Sequence, residues 1–188
     1  MKLVFEPEKW HGCDNDWPVC PESVNCYSYA LNDPNYHWSS PGLGYVQTAA
    51  SNYHAKFSDY FEGLTAAEFR KAMVAGAIED GLRPVKTPID RAGHYLTALF
   101  FADSSADYDY HWYRKDDDGT WSHKNGWRPA SRHDAHGQII LEPRQGAEAD
   151  CPVFGGFFLA PRTGITLSPA LWLGLAHSVP VNTLGEAA

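Results

Sequence analysis

The clearest amphipathic pattern in the sequence begins at Thr65. Thr65 and Glu68 have the spacing of a capping box, in which each side chain satisfies a backbone N–H at the start of a helix. The apolar residues that follow recur every four positions, at Phe69, Met73 and Ala77, and Gly81 stands where a helix typically ends. This pattern predicts a helix between Thr65 and Gly81.

Short β-branched and aromatic segments, each bounded by turn residues, fill the second half of the sequence. They predict strands over residues 95–101, 108–115, 119–123, 139–141 and 153–159. Asp117-Asp118-Gly119 is typical of a hairpin turn. Residues 41–59 read as loop with one short helix around 46–51, and a last short helix is expected over 168–176. Helices followed by antiparallel strands indicate an α+β fold.

The length of 188 residues is close to that of one domain. We therefore expect a single domain over residues 1–188. Residues 1–22, rich in Trp, Pro, Asp and Cys, predict an irregular lead-in, and residues 162–188 predict a C-terminal extension.

Composition narrows the classes of partner. The formal net charge of -8 opposes phosphate binding, so we expect no nucleic-acid partner. No stretch approaches the roughly 20 apolar residues that span a bilayer, and residues 1–10 lack the apolar run of a secretory signal. We expect no membrane span and a cytoplasmic location by default, or export by a non-classical route.

Cys26 stands where a second short helix is predicted to begin. Ser23 or Asn25 can cap this helix, and Pro34 prevents its continuation. A cysteine in the first turn of a helix feels the positive end of the dipole and unsatisfied N–H groups, which favour thiolate over thiol. Cys26 is therefore a candidate nucleophile, and the alternative is a buried structural cysteine.

Two of the nine histidines have a spacing that suits a base for such a thiol. His111 lies in a predicted strand, and His123 follows twelve positions later, across the hairpin turn. A regular hairpin brings both rings to the same end of the sheet, where one acts as base and the other orients it.

The order of Cys26, His111 and His123 along the chain resembles that of the NlpC-like branch of the papain-like cysteine peptidases. In that branch a cysteine opens a helix, a histidine starts a strand, and a third residue, often another histidine, lies on the next strand at a similar separation. The resemblance implies a papain-like fold with Cys26 as nucleophile, His111 as base and His123 as the orienting residue. The blocks NCYSYA and HWYR...WSHK also resemble a group of short, little-characterised proteins.

The sequence departs from that branch in two places. The usual Asp-Cys-Ser-Gly around the nucleophile is here Asn25-Cys26-Tyr27-Ser28, and the interval from Cys26 to His111 is longer. His94, at the head of a strand, is therefore a rival base. The backbone N–H of Cys26 and the amide of Asn25 are candidates to stabilise the reaction anion, although Asn25 can also serve as a plain helix cap.

Two further readings compete with the cysteine site. The segment His133-Asp134-Ala135-His136 holds three possible metal ligands, but it reads as a polar turn without a zinc motif. The aromatic content of 14% is also compatible with a module that binds carbohydrate or peptide without turnover.

We therefore expect an enzyme, a cysteine peptidase or amidase that needs no cofactor and no metal. Its predicted reaction is cleavage of amide bonds through a thioester, in peptidoglycan peptides or another small peptide-like substrate. Alternatives are thiol acyl transfer, proteolysis of a protein target, and, outside enzymes, a peptide-binding, carbohydrate-binding or structural module.

Overall fold

A computed structural model describes residues 2–10, 24–33, 35, 37–47, 53–103, 108–126, 128–146 and 150–169. Its α-helices are α1 (Cys26–Ala30), α2 (Tyr53–Tyr60) and α3 (Ala66–Glu79), and a 3-10 turn covers Pro7–Lys9. Its strands are β1 (His37–Ser40), β2 (Gly44–Gln47), β3 (Arg83–Val85), β4 (His94–Phe101), β5 (Tyr110–Lys115), β6 (Trp121–Lys124), β7 (Ala130–Ser131) and β8 (Val153–Pro161).

Six of these strands form one antiparallel sheet in the order β3-β8-β4-β5-β6-β7. Strands β1 and β2 form a separate two-stranded hairpin. Helices α1 to α3 all precede the large sheet in the chain. The prediction of a mixed helical and antiparallel architecture is confirmed at this level.

The two faces of the large sheet carry separate cores because side chains alternate along each strand. The front face, as we call the face toward α1 and α3, buries Leu99, Phe101, Trp112 and Phe158 against those helices. The back face buries Leu96, Tyr113, Trp121 and Phe157 against Ile140 and Cys151 of the connection between β7 and β8. The face on which a side chain lies therefore decides whether it can meet helix α1.

Helix α3 follows the prediction closely. The hydroxyl of Thr65 accepts the N–H of Glu68 at 3.3 Å, and the Glu68 carboxylate accepts the N–H of Thr65 at 2.8 Å, which completes the capping box. The helix buries Phe69, Met73, Gly76 and Ala77 and ends at Glu79. Gly81 follows in a left-handed conformation with φ of 102°, as expected after a helix end.

Gly76 lets the turn between β1 and β2 lie directly on helix α3. A Cβ at this position would stand 2.4 Å from the carbonyl oxygen of Pro41 and 2.7 Å from the nitrogen of Gly42, both main-chain atoms. A methyl group cannot be accommodated there without moving one of the two elements.

Replacing Gly76 with alanine should lower the free energy of unfolding by about 2 kcal/mol, because the clash outweighs the gain in helix propensity. Urea unfolding followed by tryptophan fluorescence measures the change. Lys71→Ala, on an exposed position of the same helix, is the control and should leave the midpoint nearly unchanged. A Gly76→Ala variant as stable as that control would contradict the close packing of the turn.

One strand prediction in the irregular regions is wrong. Residues 139–141 do not form a strand: Ile139 makes an isolated bridge with His133, and Ile140 alone enters the back-face core. Of the short helix expected around 46–51, only residues 46 and 47 are described, and both belong to strand β2; helix α2 starts at Tyr53. Local composition did not indicate the β1–β2 hairpin, whose strands are only four residues long.

Some predictions fall outside the described residues. These are the lead-in beyond Trp10, with Cys13 and Cys20, and the expected helix over 168–176, of which only the first two residues are described. Within the described ranges, no helix is long and apolar enough to cross a membrane.

Candidate active site around Cys26

Asn25 caps helix α1 and fixes the position of Cys26. Its Oδ1 accepts the N–H of Ser28 at 3.0 Å and the N–H of Ser39 at 3.4 Å, and its Nδ2 donates to the carbonyl of Ser39 at 2.7 Å. The cap thus joins the start of the helix to strand β1. Of the two roles expected for Asn25, the structure shows the capping one, and both ends of its amide are engaged.

The thiol of Cys26 lies against strand β5, at the main chain on either side of His111. Its Sγ donates to the carbonyl of Tyr110 at 3.7 Å, and the N–H of Trp112 is directed at the sulfur. Strand β6 pairs with the C-terminal half of β5, between Tyr113 and Lys115. The sulfur therefore takes a place along β5 beyond the residues that pair with β6.

The surroundings of Cys26 favour the protonated thiol. Burial and, to a smaller extent, the Asp109 carboxylate raise the pKa of Cys26 to about 12. The N–H groups of Trp112 and Tyr27 and the charge of Lys124 lower this pKa, but by less. The expected lowering of this pKa by the helix start is therefore wrong for this arrangement. Helix α1 has only five residues. The stabilisation of a thiolate by its partial charge is therefore smaller than the free energy that desolvation of the thiolate costs.

His111 and His123 form the pair that the hairpin spacing predicts. Nε2 of His111 lies 2.8 Å from Nδ1 of His123, and both residues are buried, with exposed fractions of 4% and 3%. The His123 ring also stacks on Tyr113, with ring centroids 4.9 Å apart. Burial lowers the pKa of His123 to about 4, and burial together with the neighbouring His123 lowers the pKa of His111 well below its ordinary value. Both rings are neutral at pH 7.

The hydrogen bonds assign the tautomers of this neutral pair. Nε2 of His123 lies 3.1 Å from the carbonyl oxygen of His133, which can only accept, so this nitrogen carries a hydrogen. Nδ1 of His123 is then an acceptor, and Nε2 of His111 donates to it. By this assignment Nδ1 of His111 keeps a lone pair, as a general base requires.

The sulfur and the imidazole approach β5 from different sides. Tyr110 and Trp112 belong to the front-face core together with Cys26, whereas the ring of His111 contacts Tyr113 of the back face. The structure thus brings Cys26 to the main chain of His111. The ring of His111 itself lies on the other face of the sheet.

His94 lies at the other end of the sheet. It begins strand β4, and its Nδ1 lies 3.1 Å from the carbonyl of Ala92. His111 pairs with Phe100, six residues further along β4, a separation of about 20 Å in a strand. The fold therefore separates the rival base from Cys26. His94 instead borders a cleft of about 410 Å³ that is lined largely by charged residues, among them Lys115 and Arg162.

Lys124 is a site residue that the sequence reasoning missed. It lies at the end of β6 with an exposed fraction of 0%, and its Nζ donates to the carbonyl of Gly126 at 2.8 Å. Burial lowers its pKa to about 7, against the charge of Cys26. Ser122 contacts helix α1 through its hydroxyl, which lies 2.6 Å from that of Tyr29. Because side chains alternate between the two faces along a strand, Lys124, two residues after Ser122, lies on the same face.

The segment from His133 to His136 is a hydrogen-bonded turn. One carboxylate oxygen of Asp134 accepts the N–H groups of His136 and Gln138, both at exposed positions. Across the residues that the structure describes, no group of three His, Cys, Asp or Glu side chains could hold a metal ion.

No family model matches the chain, and no solved structure matches it. The chain is similar to a curated protein, "Insoluble matrix shell protein 1" of Ruditapes philippinarum. The two are 29% identical over 162 residues, which cover 86% of this chain and 93% of that protein. The similarity therefore extends over most of the length of both proteins and is not limited to one motif.

Proposed function

We propose that this protein is a papain-like cysteine hydrolase that cleaves amide bonds, with Cys26 as nucleophile, His111 as base and His123 as the orienting residue. The observation that carries the proposal is the bond of 2.8 Å between Nε2 of His111 and Nδ1 of His123. His111 belongs to strand β5, the same strand that the sulfur of Cys26 contacts. A thiol, a base and a group that fixes the tautomer of the base are the parts of a nucleophilic triad.

In the proposed reaction Cys26 rests as a thiol. When a substrate carbonyl reaches the sulfur, the thiol proton passes to Nδ1 of His111 around the edge of β5, where β6 no longer pairs with it, and Sγ attacks the carbonyl carbon. The tetrahedral anion collapses to a thioester as the amine leaves with that proton. A water molecule then gives a proton to His111 and adds to the thioester, which releases the acid and restores the thiol. Because the Asn25 amide is engaged with Ser39 and the Ser28 N–H with Asn25, the backbone N–H of Cys26 is the better candidate to bind the anion.

The proposed substrate is a peptide amide. By the resemblance to the NlpC-like branch, a peptide of the bacterial cell wall is the first candidate, and acyl transfer or cleavage of a protein target are alternatives that use the same thioester. The charge of -8 disfavours strongly acidic substrates.

The pH dependence of Cys26 alkylation tests the proposal. If His111 takes the proton as iodoacetamide reacts, the rate should be nearly constant from pH 6 to pH 7, since burial lowers the pKa of His111 well below its ordinary value. A thiol without a base should react about tenfold faster for each unit of pH, because only its thiolate fraction reacts. Peptide mapping by mass spectrometry assigns the rate to Cys26, with the buried Cys151 as an internal reference.

Three variants complete this experiment. His111→Ala should slow the labelling of Cys26 at pH 6 by at least about tenfold and restore the steep pH dependence. His123→Ala should produce a smaller change in the same direction, whereas His94→Ala, at the far end of the sheet, should behave as wild type. If Cys26 and Cys151 are labelled at the same slow and steeply pH-dependent rate in the wild type, the hydrolase proposal is wrong.

A second candidate function is a structural or binding component of an insoluble shell matrix. It is supported by the similarity to the matrix shell protein and by the buried thiol of raised pKa. In this case Cys26 is a core residue, and the buried histidine pair stabilises the sheet. Equal labelling of Cys26 and Cys151 is the result that this candidate predicts.

A further inference from the structure

Lys124 lies on strand β6, which packs against helix α1, the helix that begins with Cys26. The Ser122 hydroxyl contacts that of Tyr29, which fixes the register of the two elements. Lys124 is two residues further along the same strand face, and Cys26 is three residues earlier on the helix, or just under one turn. These displacements are about 7 Å and 5 Å. They run in the same direction: Tyr29 contacts Arg114, which pairs with Ser122, and Cys26 contacts the carbonyl of Tyr110, on the side of Arg114 toward which β6 runs.

The surroundings leave few other charges near this pair. The described groups whose charge acts on the thiol are Asp109, at the start of β5, and Lys124. The hydroxyl of Tyr110 is engaged with the carbonyl of Ser39 at 3.2 Å and with the hydroxyl of Ser40 at 3.1 Å.

We propose that Lys124 is a positioning residue for the nucleophile: its ammonium group stabilises the Cys26 thiolate that forms when His111 takes the thiol proton. The inference rests on the proposed function. The step creates a thiolate and an imidazolium, and no proton leaves Lys124. The bond from Nζ to the carbonyl of Gly126 holds the ammonium group in place. In a buried site such a charge acts with little screening by solvent.

This role has a pH signature of its own. The charge on Lys124 is present below pH 7 and is lost above it, since burial lowers the pKa of this lysine to about 7. Alkylation of Cys26 should therefore decline as the pH rises through 7. Arginine stays protonated over this range, so Lys124→Arg should keep the rate constant beyond pH 7.

Iodoacetamide labelling of the full chain tests the inference. Lys124→Met should lower the rate at Cys26 by about tenfold at pH 6, equivalent to a rise of one unit in the thiol pKa, and should remove the decline above pH 7. Lys115→Met is the matched control, because Lys115 lies on the neighbouring strand in a partly exposed ion pair with Asp90. Its rate and pH profile should equal those of wild type.

The outcomes separate this inference from the proposed function. Equal rates for Lys124→Met and Lys115→Met overturn the role of Lys124, whatever the wild-type profile is. If the alkylation rate of wild-type Cys26 rises steeply with pH, the hydrolase proposal is wrong. If Lys124→Met also lowers that rate, Lys124 still stabilises the thiolate. If Lys124→Met does not fold, the profile of Lys124→Arg decides: a decline through pH 7 equal to that of wild type contradicts the inference.

Discussion

Replacing Arg114 with alanine should lower the free energy of unfolding by about 3–5 kcal/mol, the largest stability effect that we expect in this protein. Arg114 has an exposed fraction of 1% and lies on the front face of β5. Its guanidinium forms an ion pair of 3.0 Å with Asp116 and donates to Asn32 at 2.9 Å and to the hydroxyl of Tyr29 at 3.1 Å. It also lies over the Tyr29 ring, 4.3 Å from the centroid.

The cost has two parts. The variant leaves the carboxylate of Asp116 buried, with the hydroxyl of Ser122 as a remaining donor at 2.6 Å, and burial already raises the pKa of Asp116 despite Arg114. It also removes one of the links between the end of helix α1 and the sheet. Because that helix carries Cys26 at its other end, Arg114→Ala should disturb the thiol as well as the fold.

Denaturant unfolding at pH 7, followed by tryptophan fluorescence, measures this loss. Arg162→Ala is the control, because Arg162 forms its ion pair with Asp117 at a partly exposed site, where such pairs contribute about 0–1 kcal/mol. Equal midpoints for the two variants would show that the buried ion pair does not support the position of α1.

Those parts of the fold that depend on local sequence were predictable. The capping box at Thr65 starts a helix and Gly81 ends it through contacts with residues only a few positions away, and helix α3 lies between them. The strand over 139–141 failed because its apolar residues serve different partners: Ile140 fills the back-face core, whereas Leu141 is 73% exposed. A short apolar run does not reveal whether neighbouring strands exist to pair with it.

The candidate site was predictable in part for the same reason. The hairpin fixes the distance between His111 and His123, so their contact follows from the spacing. The face of β5 that meets the helix does not follow, because the segment YHWYRK places aromatic or charged side chains on both faces. Lys124 reads in the sequence as an ordinary surface lysine. Its burial depends on the packing of α1 over β6, which no local pattern encodes.

The buried histidine pair should make the fold sensitive to acid. His123 has a pKa of about 4 in the folded protein and about 6.5 when unfolded. Since the folded pKa is the lower one, the unfolded chain binds the proton first. The stabilisation is complete above pH 6.5 and is lost as the pH falls through 4. His123 alone should account for about 3 kcal/mol of this loss, and His111, whose pKa is also lowered, adds to it.

The variant His123→Gln isolates this contribution, because glutamine can still accept and donate hydrogen bonds but does not titrate. Between pH 6.5 and pH 4 the wild type should lose about 3 kcal/mol more stability than the variant, measured by urea unfolding at each pH. Carboxylates of lowered pKa, such as those of Asp117 and Asp118, titrate in both proteins and cancel in the difference. His136→Gln, at an exposed position, should follow the wild-type curve. Parallel curves for wild type and His123→Gln would mean that His123 is already charged or solvated in the folded protein, which is incompatible with its role as a neutral acceptor for His111.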